Sequence, residues 1–237
     1  MKSRAVVMTK PGEVIIDDIE IPQVTDGGLI LKVEMAGVCG SDKHMYLGRT
    51  TPKFPVIPGH EILGRVAEAG PSVRMLVVGG SLAEGDRVAV LPGTKPCGEC
   101  FYCVHTLARP ALCPKRRVYG FACRDDWPYL LGGYAEYMYV LPESWVYKIP
   151  DEMPDEVAVL LEPFSIALRA VERGLFPGLP GIGEGCGFGG TAVVIGCGTI
   201  GVLAVAALKL LGVTDIVALD LLESRLDMAG MMGATMT

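Results

Sequence analysis

The sequence has no apolar stretch of the ~20 residues that a membrane-spanning helix requires. Its longest apolar run, Ile200 to Leu208, ends at Lys209. It has no surplus of positive charge. Lys and Arg number 21 against 27 Asp and Glu, a net charge of −6, which argues against a nucleic-acid partner and against an anionic membrane surface. The N-terminus, M-K-S-R-A-V-V-M-T-K, has basic residues but only four consecutive apolar ones, too few for an export signal. The expected compartment is therefore the reducing cytoplasm, where a disulfide framework is disfavoured. Half of the chain is hydrophobic and a fifth is charged, a globular balance and not a disordered one.

Eight cysteines in such a chain point to metal binding or catalysis. Cys97, Cys100 and Cys103 stand at three-residue steps in P-C-G-E-C-F-Y-C, and Cys113 follows after nine intervening residues. Four cysteines are a common structural zinc set. A redox C-x-x-C pair needs only two thiols and leaves the others unexplained. Iron can also fill a four-cysteine site. Lys95, Lys115, Arg116 and Arg117 flank the loop and can offset the charge of four thiolates. Such a site is closed: it stabilises and does not catalyse.

A second constellation comprises Cys39, His60 and Glu162. Cys39 follows the alternating stretch L-I-L-K-V-E-M-A, and His60 begins H-E-I-L-G-R-V-A, so both belong where strands meet loops. Glu162 lies in L-L-E-P-F, inside an apolar helical pattern from about Asp155 to Arg173. Pro163 is expected to disturb that helix and expose the carboxylate towards a cleft. One thiolate, one imidazole and one carboxylate leave a fourth position for water or substrate, which is how catalytic zinc is held. Read singly, Cys39 is a small core residue, Glu162 a solvent-facing or paired one, and His44 and His105 exposed surface histidines.

The segment Thr191 to Val213 runs a β-branched stretch into Gly196-x-Gly198-x-x-Gly201 and then an apolar helix. A second buried strand and a helix near Leu222 to Met231 follow, which makes a β-α-β dinucleotide fingerprint. Gly196 permits the tight turn, Gly198 admits the pyrophosphate, and Gly201 permits close helix packing. Thr199 and Ile200 open the helix whose N-terminal N–H groups face the phosphates. Asp220, nineteen residues after Gly201, can accept from the ribose hydroxyls and would repel a 2′-phosphate, which favours NAD over NADP. Arg225 is expected beside the ribose or paired with Glu223. A second G-x-G-x-x-G match, Gly185 to Gly190, has no strand before it and no helix after it. It reads as part of a glycine-rich connection.

Together, G-V-C-G-S-D-K-H, P-G-H-E-I-L-G, G-D-R-V at Gly85 to Val88, the four-cysteine lobe, L-E-P-F and the fingerprint with Asp220 resemble the zinc-containing medium-chain alcohol dehydrogenases. The sorbitol and threonine dehydrogenase branch is favoured, because Glu162 stands where ethanol-type members have cysteine. The resemblance implies an α/β plus β architecture: a GroES-like β-barrel catalytic domain with two zincs over residues 1–176, a connection over 177–190, and a partial Rossmann domain over 191–237. The active site would lie between the domains. By the same resemblance Cys39, His60 and Glu162 hold the catalytic zinc, and Cys97, Cys100, Cys103 and Cys113 hold the structural one. Glu61 approaches or replaces zinc-bound water, or forms an outer salt bridge. Asp42 orients the zinc-bound histidine, and Ser41 and His44 relay the proton.

The implied reaction is hydride transfer between a secondary alcohol, polyol or hydroxy amino acid and NAD, in a homodimer or homotetramer of the full-length protein. The family's Rossmann sheet has about six strands and this sequence supplies roughly two, so the chain is expected to be a fragment. The competing expectation is a zinc-stabilised protein without catalysis. The nine-residue Cys103–Cys113 interval is longer than usual for the family, and a bulge is expected over Ala108 to Ala111.

Overall fold

A computed structural model describes residues 1–105, 110–174 and 190–237. The glycine-rich connection, the second glycine motif apart from Gly190, and the first half of the expected bulge lie outside the described residues. The chain divides into two compact units, Met1–Glu162 and Pro163–Thr237.

The first unit begins with β1 (Lys2–Lys10), β2 (Glu13–Glu20) and β3 (Leu29–Gly37), followed by the short helix α1 (Gly40–Tyr46). Then come β4 (Glu61–Ala69), β5 (Leu76–Val78), β6 (Arg87–Thr94), helix α2 (Phe101–His105), a 3₁₀ turn at Pro110–Leu112, β7 (Tyr137–Val140), β8 (Ser144–Lys148) and α3 (Asp155–Ala158). β1 and β2 pair antiparallel. The other six strands form one sheet in the order β5-β8-β6-β4-β3-β7. Within it β3 pairs antiparallel with both β4 and β7.

β-Branched and aliphatic residues drive these strands, because they pack well on a pleated, half-buried surface. Leu29, Leu31, Ile62, Val88, Met138 and Val146 are almost wholly buried in one cluster, each contributing roughly 1.5–3 kcal/mol relative to exposure. Polar groups inside are matched. The Tyr119 hydroxyl lies 2.6 Å from Ser144 Oγ and accepts from the Leu141 amide at 2.8 Å. Arg87, buried on β6, donates to the Pro150 and Met153 carbonyls and pairs with Asp155. That hub fixes the chain just ahead of Glu162.

The helical pattern from Asp155 to Arg173 is not one helix. It is interrupted at Val159 and Leu160, and a new helix, α4 (Leu161–Gly174), begins there. Pro163 therefore falls in the first turn of α4, where its missing N–H has no intrahelical partner to lose. Glu162 is buried, 8% exposed.

The second unit contains most of α4, then β9 (Thr191–Ile195), α5 (Thr199–Leu210), β10 (Asp215–Leu219) and α6 (Glu223–Met232). β9 and β10 pair parallel in register from Thr191–Asp215 to Ile195–Leu219, as a right-handed β-α-β crossover requires. Val205, Ala207, Ile216, Ala218 and Ala229 form its dry centre, with Phe164 and Leu168 of α4 packed against it.

Candidate active site

The sequence places Cys39 and His60 at strand ends, and the first unit brings them together. β3 ends at Gly37 and α1 starts at Gly40, so Cys39 caps the helix in extended backbone. His60 precedes the first residue of β4. Among the described residues, ligand atoms of Cys39, His60 and Glu61 all lie within 4.8 Å of one another. Glu61 pairs with Gly37 across β3 and β4. A Cβ on Gly37 would collide with the Glu61 carboxylate, so the glycine makes room for that side chain.

Glu162 is not in that tight group, yet it feels the Glu61 charge. Burial, and then the neighbouring Glu61 carboxylate, push Glu162 up to about 7. The Glu61 carboxylate beside a thiol and an imidazole, with the buried Glu162 carboxylate near enough to feel its charge, is unfavourable without a counter-charge. A divalent cation relieves that conflict, and the donor types suit zinc.

Asp42 is buried at 5% exposure. Its Oδ2 accepts from the Cys39 amide at 2.9 Å and lies 2.8 Å from the Tyr134 hydroxyl. Its Oδ1 and His60 Nδ1 are both buried without a hydrogen-bond partner, and they face each other at 3.7 Å. The other ring nitrogen, Nε2, lies 3.4 Å from Ser41 Oγ. Nδ1 thus faces the Asp42 carboxylate and Nε2 faces Ser41 Oγ. Phe121 packs against the ring with centroids 5.5 Å apart. His44, one helical turn beyond Ser41 on α1, is exposed.

Tyr134 was not among the residues expected at the site. Its hydroxyl lies 3.0 Å from the Gly37 carbonyl as well as against Asp42. Burial, and then the bond to Asp42, hold that hydroxyl well above the usual phenol range. The only local signal was a tyrosine in G-G-Y-A-E-Y, which reads as an ordinary strand approach.

The four-cysteine lobe also assembles. Cys97, Cys100, Cys103 and Cys113 have their sulfurs mutually within 4.8 Å. Cys103 belongs to α2 and not to a loop. The Cys97 amide holds the Cys113 thiol down at about 6, while burial pushes the Cys103 thiol up to about 12. Four such thiols cannot ionise together without a cation, which fits a structural metal. Of the expected counter-charges, Lys115 pairs with Glu99, and Arg116 donates to the Thr94 carbonyl. His105 closes α2 and lies tilted against Phe101 at 4.8 Å; it is exposed as expected, but helical.

In the second unit Gly196 has φ +89°, a left-handed turn that favours glycine. A Cβ on Gly201 would collide with the Gly196 carbonyl, whereas one on Gly198 would meet nothing within 4 Å. Gly198 caps α5 and Thr199 and Ile200 open it, which leaves an approachable helix N-terminus. Asp220 accepts from the Cys197 amide at 2.8 Å and the Leu222 amide at 3.0 Å. Those two amides hold its carboxyl below the usual carboxylate range. Arg225 pairs with Asp220 at 3.4 Å, not with Glu223. A hollow of about 400 Å³ lies against Gly196, Leu219, Asp220 and Arg225.

A GroES-like sheet with two metal-ligand clusters, followed by a dinucleotide fingerprint, defines a zinc-type dehydrogenase architecture. The alcohol dehydrogenase GroES-like domain family matches residues 25–151, and the chain belongs to that family. It is 35% identical over 174 residues to sorbitol dehydrogenase of Bacillus subtilis, covering 72% of this chain and 45% of that protein. Among solved structures, a Sinorhizobium meliloti protein bound to NADP is 30% identical with a TM-score of 0.82, covering 100% of this chain and 61% of that one. A short chain alcohol dehydrogenase of Escherichia coli in complex with NADH is 31% identical with a TM-score of 0.78, covering 99% and 61%. The resemblance read from the motifs is borne out. The chain spans about half the length of the curated relatives it matches. Among the described residues, no helix is long and apolar enough to cross a membrane.

Proposed function

We propose that the protein of which this chain is part or whole oxidises a secondary alcohol, polyol or hydroxy amino acid with a nicotinamide cofactor, using zinc. The observation that carries this reading is the convergence of Cys39, His60 and Glu61 within 4.8 Å, with Ser41 Oγ beside His60 Nε2. When bound, zinc supplies a Lewis acid for the substrate oxygen and the nicotinamide accepts a hydride.

The chain's own residues do the rest. Cys39 Sγ, His60 Nε2 and the Glu162 carboxylate serve as donors, and Glu61 either exchanges with water at the same site or pairs outside it. Ser41 takes the proton of the substrate hydroxyl and passes it outward, and exposed His44, on the same face of α1, releases it to solvent. The hydride leaves the same carbon, so a two-electron oxidation to the carbonyl balances. A second, structural zinc sits on Cys97, Cys100, Cys103 and Cys113.

Gly196, Gly198, Thr199, Ile200 and Gly201 take the pyrophosphate, and Asp220 with Arg225 takes the ribose. The carboxylate favours NAD, while the adjacent guanidinium keeps NADP in contention. The same proposal holds the domain limits at 176 and 190, a cytoplasmic location, and a homodimer or homotetramer of the whole protein. Support for a small alcohol or polyol as substrate comes from sorbitol dehydrogenase among the relatives.

The test is zinc per chain by elemental analysis, with NAD-coupled oxidation of a polyol panel, for the wild type and Cys39→Ala. About two zincs falling to about one, with turnover lost, is expected from a three-ligand and a four-ligand site. Oxidation at the wild-type rate in Cys39→Ala would sink the reading.

A further inference from the structure

We propose that Tyr134 is a positioning residue of the Cys39–His60 metal site, acting through Asp42 to orient the histidine ring. The inference rests on the reading of Cys39 and His60 as zinc ligands.

The Asp42 carboxylate has two oxygens with unequal duties. Oδ2 is taken by two donors, the Cys39 amide at 2.9 Å and the Tyr134 hydroxyl at 2.8 Å. Oδ1 has no donor and is turned on His60 Nδ1, itself buried and without a partner, 3.7 Å away. With only the amide to hold it, the carboxylate could rotate about its terminal bond, whose preferences are broad. The second donor on Oδ2 fixes that rotation. An imidazole nitrogen that faces an anion carries the proton, so Nδ1 becomes the N–H and Nε2 keeps its lone pair.

Tyr134 touches both segments that bring Cys39 and His60 together. Its hydroxyl reaches the Gly37 carbonyl at 3.0 Å, at the end of β3 where the chain turns towards Cys39. Its ring lies where a Cβ on Gly59 would be, 2.5 Å from that position, and Gly59 immediately precedes His60. Its amide donates to the Pro58 carbonyl at 3.0 Å. One side chain therefore sets the spacing between the Cys39 turn and the His60 turn, and its hydroxyl sets the direction of the carboxylate between them. Phenylalanine would keep the ring and amide contacts to the His60 turn and lose both hydroxyl contacts, to the Gly37 carbonyl and to Asp42.

Tyr134→Phe removes the hydroxyl alone and leaves the contacts at Gly59 and Pro58 in place. Zinc affinity of each site is measured by competition with a chromophoric chelator, and the His60 tautomer is read by ¹⁵N NMR. The expected result is about tenfold weaker zinc at the Cys39–His60 site, the lower end of what losing an outer partner costs. The four-cysteine site is unchanged, and in the zinc-free protein His60 becomes a mixture of tautomers. In an Asp42→Asn background, Tyr134→Phe has no further effect, as expected of two groups in one chain of action.

The proposal is overturned if Tyr134→Phe changes affinity less than about twofold, if both zinc sites weaken in parallel, or if the two substitutions add. A wild type that takes up zinc only at the four cysteines removes the zinc reading and this inference together. Normal uptake with an indifferent Tyr134→Phe removes this inference alone.

Discussion

Asp42 Oδ1 lies 3.7 Å from His60 Nδ1, each atom buried and each without another hydrogen-bond partner. A closure of less than an ångström makes an ordinary charge-assisted bond. Asp42→Ala removes the acceptor for both the ring and the Cys39 amide. Stability is expected to fall by about 1–3 kcal/mol, the cost of a buried donor left unmatched. Zinc at this site should weaken about 10–100-fold. Chemical denaturation and chelator competition check the two parts separately. Unchanged zinc affinity would show that Asp42 only caps α1.

Two glycines of the fingerprint should behave differently. Gly201→Ala forces a Cβ into the Gly196 carbonyl and is expected to destabilise the second unit by about 1–3 kcal/mol, as overpacking does. Gly198→Ala meets open space, so thermal stability should hold while NADH binding weakens. Calorimetry alongside NADH fluorescence titration distinguishes them. Equal loss of stability in both would contradict the division of roles.

Asp220 carries a pH signature. Its folded value is lowered, chiefly by the Leu222 and Cys197 amides. Its stabilising contribution is therefore fully present above the unfolded carboxylate value of about 3.9 and lost as pH falls through the lower folded value. Asp220→Asn should reduce the melting temperature at pH 7, and the gap to wild type should close as the pH falls below the unfolded carboxylate value and through the lower folded one. Melting curves of both proteins across that range are the check; a gap that widens in acid has the wrong sign.

Arg87 ties β6 to the segment that leads into Glu162, through the Pro150 and Met153 carbonyls and Asp155. Arg87→Leu leaves those carbonyls unmatched. A loss of up to about 3 kcal/mol is expected, the low end for a broken buried pair, because Asp155 is itself nearly half exposed. Urea unfolding measures the loss. A neutral result would mean water replaces the guanidinium at no cost.

How much was legible in the sequence followed the range of the interaction. The clustering of the four cysteines, the strand ends at Cys39 and His60, and the β-α-β unit are local patterns, legible because a few neighbouring residues determine each. The break ahead of Glu162 was misplaced because Pro163 looked like a helix breaker. It is accommodated in a first turn, where proline costs nothing. Tyr134 and Asp42 are 92 residues apart, and no periodicity announces such a meeting. Of the two expectations for Arg225, beside the ribose or paired with Glu223, the second fails: the turn after β10 brings it to Asp220.

Glu162 is the last residue of the first unit, and every proposed zinc donor precedes or coincides with it. A ribosome adds about 5–20 residues per second, and domains fold as they emerge. All seven donors are therefore synthesised before the glycine fingerprint is. The order of the proposed donors along the chain thus lets metal load before the fingerprint that would hold a nucleotide has been made.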